Sequence, residues 1–151
     1  MVYSLVVTVI VVALLIIWTP PLEPLLREGA ALSRFAGSGL TAGSITMALL
    51  FGAVQTGFTE ELLFRGLIAG SLSRRLSVAW ANVAQATIFF LPHLAFLLIA
   101  PELWAFLSVV FVAALLLGWL RIKSGSIISP WIMHGSVNVT MALIVASRTA
   151  A

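Results

Sequence analysis

Residues 42–72, AGSITMALLFGAVQTGFTEELLFRGLIAGSL, form an apolar stretch long enough to cross a lipid bilayer as one helix. The only charged side chains within it are Glu60, Glu61 and Arg65. A charge at the centre of a bilayer costs about 2.5–3.5 kcal/mol, so such residues normally face a protein interior or a water-filled cavity. The stretch therefore predicts a membrane-spanning helix that carries a polar site.

The composition of the whole chain agrees with a protein that is dissolved in lipid. Of the 151 residues, 62% are hydrophobic and 9% are charged, and the mean hydropathy is +1.17. At about 20 apolar residues per crossing, such a chain has room for about five transmembrane helices and no separate soluble domain. We therefore predict an all-α, polytopic integral membrane bundle. The net charge of +3 does not indicate nucleic-acid binding, because the basic residues are scattered singly or in pairs.

Two absences in the composition remove whole classes of chemistry. The chain has no cysteine, which excludes thiol nucleophiles, disulfides and thiolate metal sites. All five acidic residues are glutamates, so the paired aspartates of an intramembrane aspartyl protease are missing. The N-terminal apolar run has no basic region before it and ends at Pro20 and Pro21, which favours a membrane helix over a cleaved signal peptide.

Hydrophobic runs and the residues that interrupt them predict the helices. Pro92 is expected to kink the third span, and Gly66 and Gly70 are expected to allow close helix packing. The connector at 19–41 is predicted to contain a short amphipathic helix at the membrane surface. The predicted spans are 2–18, 42–72, 78–99, 102–120 and 126–147.

The basic residues also predict an orientation. If all the spans cross, one side of the membrane receives four basic residues and no acidic one, namely Arg74, Arg75, Arg121 and Lys123. Cytoplasmic loops carry an excess of lysine and arginine, so this side is predicted to be the cytoplasm. The N-terminus is then predicted to be cytoplasmic as well.

Polar residues on three predicted spans fall at comparable depths. Counted from the inferred cytoplasmic end at 1.5 Å per residue, Glu60, His93 and Asn138 lie roughly 20 Å deep, and Arg65 and His134 roughly 12 Å deep. Glu61 and Arg65 are four residues apart and can form an ion pair, whereas Glu60 lies about 100° around the helix. His134 and Asn138 are also four residues apart on one helix face. This convergence predicts a single intramembrane site.

The motifs that contain these residues resemble a known family. Glu60-Glu61-Leu62-Leu63-Phe64-Arg65 has the form Glu-Glu-x-x-x-Arg, Phe89 to His93 has the form Phe-x-x-x-His, and His134 to Asn138 has the form His-x-x-x-Asn. In this order they resemble the CAAX protease and bacteriocin-processing family (CPBP, ABI) over residues 42 to 145. The resemblance divides the chain into an N-terminal helix with its connector, 1–41, and a four-helix protease core, 42–151.

The resemblance implies an intramembrane protease of the glutamic type, in which activated water hydrolyses a peptide bond. Glu60 would act as general base and His93 would hold and orient the water, while His134 and Asn138 would stabilise the oxyanion. Arg65 with Glu61 would set the local field and fix the helix face. The implied location is a prokaryotic inner membrane, and the implied substrate is a membrane-embedded or lipid-anchored peptide.

Several other interpretations stay open on the sequence alone. The charged triplet could be a structural ion-pair network, and each histidine could be an interhelical hydrogen-bonding residue. No cofactor is expected, because the chain has no His-Glu-x-x-His pair of the kind that binds catalytic zinc. Zinc stays an alternative, since two histidines and two glutamates could form a zinc site. Ser136 is a poor nucleophile candidate because it points away from His134. A transporter, a proton relay and a non-catalytic immunity protein are the alternative functions.

The sequence leaves the exact substrate undecided. Prenylated C-terminal tails, bacteriocin leader peptides and C-terminal sorting or anchor segments all fit the resemblance, and a sorting or anchor segment is favoured because the site is predicted near mid-membrane. A homo-oligomer also stays open, since so small a chain offers little lipid-facing surface for a substrate groove.

Overall fold

The computed structural model describes residues 2–150, with Ile99 described by its backbone alone, and these residues form helices and no strand. The prediction of an all-α fold is confirmed. We number the helices α1 to α6 in chain order. Their bounds are Val2–Ile17, Ala42–Leu72, Val78–His93, Phe96–Ile99, Trp104–Ser124 and Ile128–Arg148.

Four segments are long and apolar enough to cross a membrane, and they make the chain an integral membrane protein. They are Ala42–Leu72, Val78–Leu98, Pro101–Ser124 and Ile128–Arg148. Helix α1 is apolar but has only 16 residues. At 1.5 Å per residue it is about 24 Å long, which is shorter than a bilayer core of about 30 Å. Among the described residues, four segments rather than five therefore meet the length of a full crossing.

Helix α2 departs from regular α geometry at two places. It begins at a capping box, in which Thr41 and Ser44 bond each other's backbone amides. The segments Leu50–Phe58 and Leu62–Ile68 are π-helical, and the α-helical turn Thr59–Glu61 separates them. Segments of π-helix are rare and occur frequently at functional sites. Glu60 and Glu61 thus lie on a short regular turn between two widened segments.

The connector does not contain the predicted amphipathic helix. It has two short 3-10 turns, Glu23–Leu26 and Ser33–Phe35. A longer helix is prevented because Gly29, Gly37 and Gly39 adopt positive φ angles, which end a right-handed helix. The apolar residues of the connector still bury themselves, since Phe35 is fully buried beside Ala48 and Phe51.

Pro92 interrupts the third span, as predicted. Helix α3 ends at His93. The amides of Leu94 and Ala95 then donate to the carbonyls of Leu91 and Pro92, three residues back instead of the four of an α-helix. Proline lacks the amide that would continue the helical pattern. The short helix α4 resumes after this turn.

The described residues form two compact units, which we call the central unit, residues 59–130, and the terminal unit, residues 2–58 and 131–150. In the central unit, Ala86 and Phe89 of α3 pack against Ala114 of α5. In the terminal unit, Phe35, Ala48 and Phe51 pack against residues of α6, namely Ala142, Val145 and Ala146.

Glycines permit close helix packing, but at positions other than the predicted Gly66 and Gly70. A Cβ at Gly70 would meet nothing within 4 Å, and one at Gly66 would make only ordinary contacts. In the terminal unit, a Cβ at Gly52 would lie 2.6 Å from the Val139 amide nitrogen. In the central unit, a Cβ at Gly118 would overlap Asn82 Oδ1.

Candidate active site

The centre of the charge triplet Glu60, Glu61 and Arg65 is a buried ion pair in the central unit. Arg65 Nη1 donates to Glu61 Oε1 at 2.9 Å, and both side chains are 0% exposed. Arg65 Nη2 donates to the Ala114 carbonyl of α5 at 3.2 Å. Glu61 therefore balances the charge of Arg65, and Arg65 ties the motif helix to α5.

Glu60 has a different environment from its neighbour Glu61. Its side chain is half-buried, whereas that of Glu61 is inaccessible. Consecutive residues of an α-helical turn point about 100° apart, so the two carboxylates lie on different faces of the helix. Glu60 still lies close enough to Arg65 for their charges to attract. The motif thus contains one enclosed carboxylate and one that solvent or substrate can reach.

Phe89 connects the ion pair to His93 within the central unit. The Arg65 guanidinium lies over the Phe89 ring at 4.6 Å from its centroid, and the imidazole of His93 stacks on the same ring with centroids 4.6 Å apart. Phe64 packs edge-on against Phe89 at 4.9 Å. The same aromatic ring therefore contacts both the cation and the imidazole.

The backbone decides which nitrogen of His93 carries the proton. His93 Nδ1 lies 2.8 Å from the Phe89 carbonyl oxygen, which can only accept a hydrogen bond. In the neutral imidazole, Nδ1 must then bear the hydrogen and Nε2 presents a lone pair. The half-buried imidazole is thus prepared to accept a hydrogen bond through Nε2.

A polar network that the sequence analysis missed supports Arg65. Gln85 is 0% exposed, and its Nε2 donates to Asn82 Oδ1 at 2.9 Å and to the Ala114 carbonyl at 3.2 Å. Asn82 Nδ2 donates to the Leu115 carbonyl at 3.1 Å. The Ala114 carbonyl therefore accepts from both Arg65 and Gln85. The available signal was that Asn82, Gln85 and Phe89 recur along α3 at helical spacing.

The terminal unit holds the other two predicted site residues. Asn138 Nδ2 donates to Thr56 Oγ1 at 2.8 Å, and Thr56 Oγ1 donates in turn to the Phe51 carbonyl at 3.0 Å. Trp131 Nε1 donates to the Ala53 carbonyl at 2.7 Å. These bonds join α6 to the π-helical segment of α2 and fix the side chain of Asn138. Thr56 was not predicted.

The predicted residues are therefore distributed over both units. Glu60, Glu61, Arg65 and His93 belong to the central unit, and the half-buried His134 and Asn138 belong to the terminal unit. Within each unit, no three histidine or glutamate side chains of the described residues form a group that could hold a metal ion.

Comparison with known protein families places all of these residues inside one matched region. A family model described as "Type II CAAX prenyl endopeptidase Rce1-like" matches residues 42–140. Comparisons with curated proteins and with solved structures find no match. The matched region begins at the first residue of α2 and extends beyond Asn138, so it contains all the motifs described above. Because it covers well over half of the chain, this protein belongs to the Rce1-like family of type II CAAX prenyl endopeptidases.

Proposed function

We propose that this protein hydrolyses a peptide bond of a membrane-anchored substrate with water that Glu60 activates. Membership of the family indicates a membrane protease. The observation that carries the proposal is the contrast between the adjacent glutamates: Glu61 is sealed against Arg65 at 2.9 Å, whereas Glu60 is accessible on another side of the helix. A general base must reach its water molecule, and of the two only Glu60 has an exposed fraction.

His93 completes the water site in this proposal. Its Nε2 lone pair accepts one hydrogen of the water, while the Glu60 carboxylate accepts the other. With both hydrogens held, the lone pairs of the water oxygen are directed at the substrate carbonyl. The hydrogen bond from Nδ1 to the Phe89 carbonyl supports this role, because it fixes both the tautomer and the ring.

The reaction then follows the usual course of amide hydrolysis. Glu60 takes a proton as the water oxygen bonds to the scissile carbonyl carbon, which produces a tetrahedral oxyanion. We assign stabilisation of the oxyanion to His134 and Asn138, because their motif resembles that of the family and each can donate a hydrogen bond. Glu60 returns the proton to the leaving nitrogen as the carbon–nitrogen bond breaks. The products are a carboxylate and an amine.

We propose as substrate a peptide segment that the membrane itself holds near the site. The description of the matching family names a prenylated CAAX tail, and a C-terminal sorting or anchor helix would be held in the same way. A substrate anchored in the bilayer suits a site carried on membrane-spanning helices, because lateral diffusion delivers it at the correct depth.

The test is a cleavage assay in proteoliposomes with two substrates, a prenylated CAAX peptide and a C-terminal transmembrane anchor peptide. Glu60→Gln is expected to lower the turnover number by about 100-fold or more, the usual contribution of a general base. Glu102→Gln is the matched control, since it removes an exposed glutamate outside the motifs. Wild-type turnover by a folded Glu60→Gln variant would refute the role of Glu60.

A chelator arm separates this mechanism from a zinc-dependent one. Activity that survives chelation supports water activation by Glu60 alone, and activity that chelation removes and zinc restores would replace it with metal activation. If the folded wild-type protein cleaves neither substrate, a non-catalytic binding or immunity role becomes the better description.

A further inference from the structure

The central unit contains a cavity of about 220 Å³ that the proposed hydrolysis does not use. It lies where the last turn of α2, the first turns of α3 and the last turns of α5 meet. Arg65, Asn82 and Arg121 supply its charged and amide groups, and small or apolar residues form most of the remaining wall. No acidic residue lines it. Because Glu61 balances the charge of Arg65, the net positive charge of the cavity wall comes from Arg121.

Both arginines have donor capacity left in this region. Arg65 gives its two terminal nitrogens to Glu61 and to the Ala114 carbonyl, yet its Nε is buried and has no hydrogen-bond partner among the described residues. The Nε of Arg121 is buried and unpartnered in the same sense. A buried donor without an acceptor costs about 1–3 kcal/mol. Two such donors around one cavity indicate a ligand that brings anionic oxygens.

The surroundings of the cavity favour a lipid as the source of those oxygens. Arg74, Arg75 and Lys123 lie in or beside the same turns. The acidic residues of the central unit are Glu60 and Glu61 of the motif and Glu102 at the opposite end of α5, and none of the three lines the cavity. Such a basic end is typical of the cytoplasmic side, where the leaflet carries anionic lipids. Val78 and Ile122, which also line the cavity, are 52% and 44% exposed and offer apolar contacts for acyl chains.

We propose that this cavity binds the phosphate group of an anionic phospholipid between α2, α3 and α5. Arg121 and the Nε of Arg65 donate to the phosphate oxygens, and the acyl chains lie along the apolar rim. Free inorganic phosphate has the same donor requirement, so the test must separate the two sources. The proposal concerns binding and does not depend on the hydrolytic mechanism.

The binding constant of the full chain for phosphatidylglycerol is measured by native mass spectrometry in detergent, with phosphatidylcholine and inorganic phosphate as comparison ligands. Wild type is expected to hold one phosphatidylglycerol. Arg121→Gln is expected to raise its Kd about tenfold, the factor that corresponds to one lost charge-assisted hydrogen bond. The matched control is Lys123→Gln, which removes the same charge two residues away but outside the cavity wall, and it should change Kd less than twofold.

Gly70→Leu tests the cavity without altering any charge. Gly70 lines the cavity, and a Cβ there meets nothing within 4 Å, so the new side chain should enter the empty space with the helix intact. We expect Gly70→Leu to weaken lipid binding as Arg121→Gln does. If Arg121→Gln does not fold, Gly70→Leu tests the proposal in its place.

Three results would overturn the proposal. If Arg121→Gln and Lys123→Gln weaken phosphatidylglycerol binding equally, the lipid is attracted by the overall positive charge of this end of the unit and not by the cavity. Phosphatidylcholine that binds as tightly as phosphatidylglycerol would remove the preference for an anionic lipid. Displacement of the lipid by inorganic phosphate at a similar concentration would identify a site for free phosphate.

Discussion

At the scale of single residues, Arg65 is the fully buried cation of the central unit. Its guanidinium contacts the Glu61 carboxylate, the Ala114 carbonyl and the face of the Phe89 ring. Each contact comes from a different position in the sequence, on α2, α5 and α3. A single buried cation thus connects three helices.

Removing one partner of the buried pair should destabilise the protein strongly. Arg65→Met leaves the Glu61 carboxylate buried without its counter-ion, and we expect a loss of about 3–5 kcal/mol in the free energy of unfolding. The double variant Glu61→Leu with Arg65→Met should recover most of that loss, because no uncompensated charge remains. Reversible unfolding in mixed detergent measures all three proteins. A double variant as unstable as the single one would contradict this account.

His93 permits a substitution that separates chemistry from packing. His93→Phe keeps a ring beside Phe89 and Phe96, whose centroids lie 4.6 and 5.9 Å from that of His93, but removes both nitrogens. We expect kcat to fall by about 100-fold or more with the unfolding midpoint nearly unchanged. Phe89→Leu should instead lower both stability and kcat, because the ring between Arg65 and His93 is lost. An active His93→Phe enzyme would exclude the imidazole from water binding.

At the scale of helices, the close approach of α2 and α6 in the terminal unit depends on glycine. A Cβ at Gly52 would lie 2.6 Å from the Val139 amide nitrogen, and one at Gly57 would lie 3.0 Å from the Gly135 Cα. Small residues let backbones approach in membranes, where dispersion contacts and hydrogen bonds hold helices together. The bond from Asn138 to Thr56 spans the same pair of helices.

Adding one methyl group should therefore have opposite effects at two glycines of α2. Gly52→Ala should destabilise the protein by about 1–3 kcal/mol, because the backbone of α6 must move away. Gly70→Ala, where the Cβ meets open space, should be neutral or stabilising by about 0.5–1 kcal/mol through helix propensity. The free energies of unfolding of the two variants are compared in detergent. Equal effects would show that Gly52 does not set the separation of α2 and α6.

At the scale of the whole molecule, the charge distribution predicts how the chain is arranged across the membrane. The turn after α2 contains Arg74 and Arg75, and the last turn of α5 contains Arg121 and Lys123. These basic turns are predicted to face the cytoplasm. Helix α1, with 16 residues, is short for a crossing.

Labelling of single introduced cysteines can show on which side of the membrane a residue lies, because the chain has no cysteine of its own. Ser73→Cys is expected to react with an impermeant maleimide from the cytoplasmic face, and Ala36→Cys from the opposite face, since both positions are exposed. If α1 crosses the bilayer, Tyr3→Cys should react on the same side as Ser73→Cys. Reaction of Tyr3→Cys together with Ala36→Cys would mean that α1 lies along the surface.

The sequence by itself determined that the protein lies in lipid, the approximate bounds of the four long helices, and the pairing of Glu61 with Arg65. These properties are local, because hydropathy, proline and glycine interruptions and the spacing of four residues all act over one or two helical turns. The fifth predicted span, 2–18, is short for a crossing. The motifs also identified the family, which the match over residues 42–140 confirms. The roles of Glu60, His93, His134 and Asn138 in catalysis stay predictions.

The tertiary structure alone decided which residues support these motifs. Phe89 between Arg65 and His93, Gln85 on the Ala114 carbonyl and Thr56 on Asn138 all depend on partners from other helices, as far as 82 residues away along the chain. The π-helical segments, the short turns of the connector and the close contacts at Gly52 and Gly118 were likewise not predictable. The cause of the close contacts is the packing of one helix against another, and helical periodicity within one segment carries no information about which neighbour it will meet.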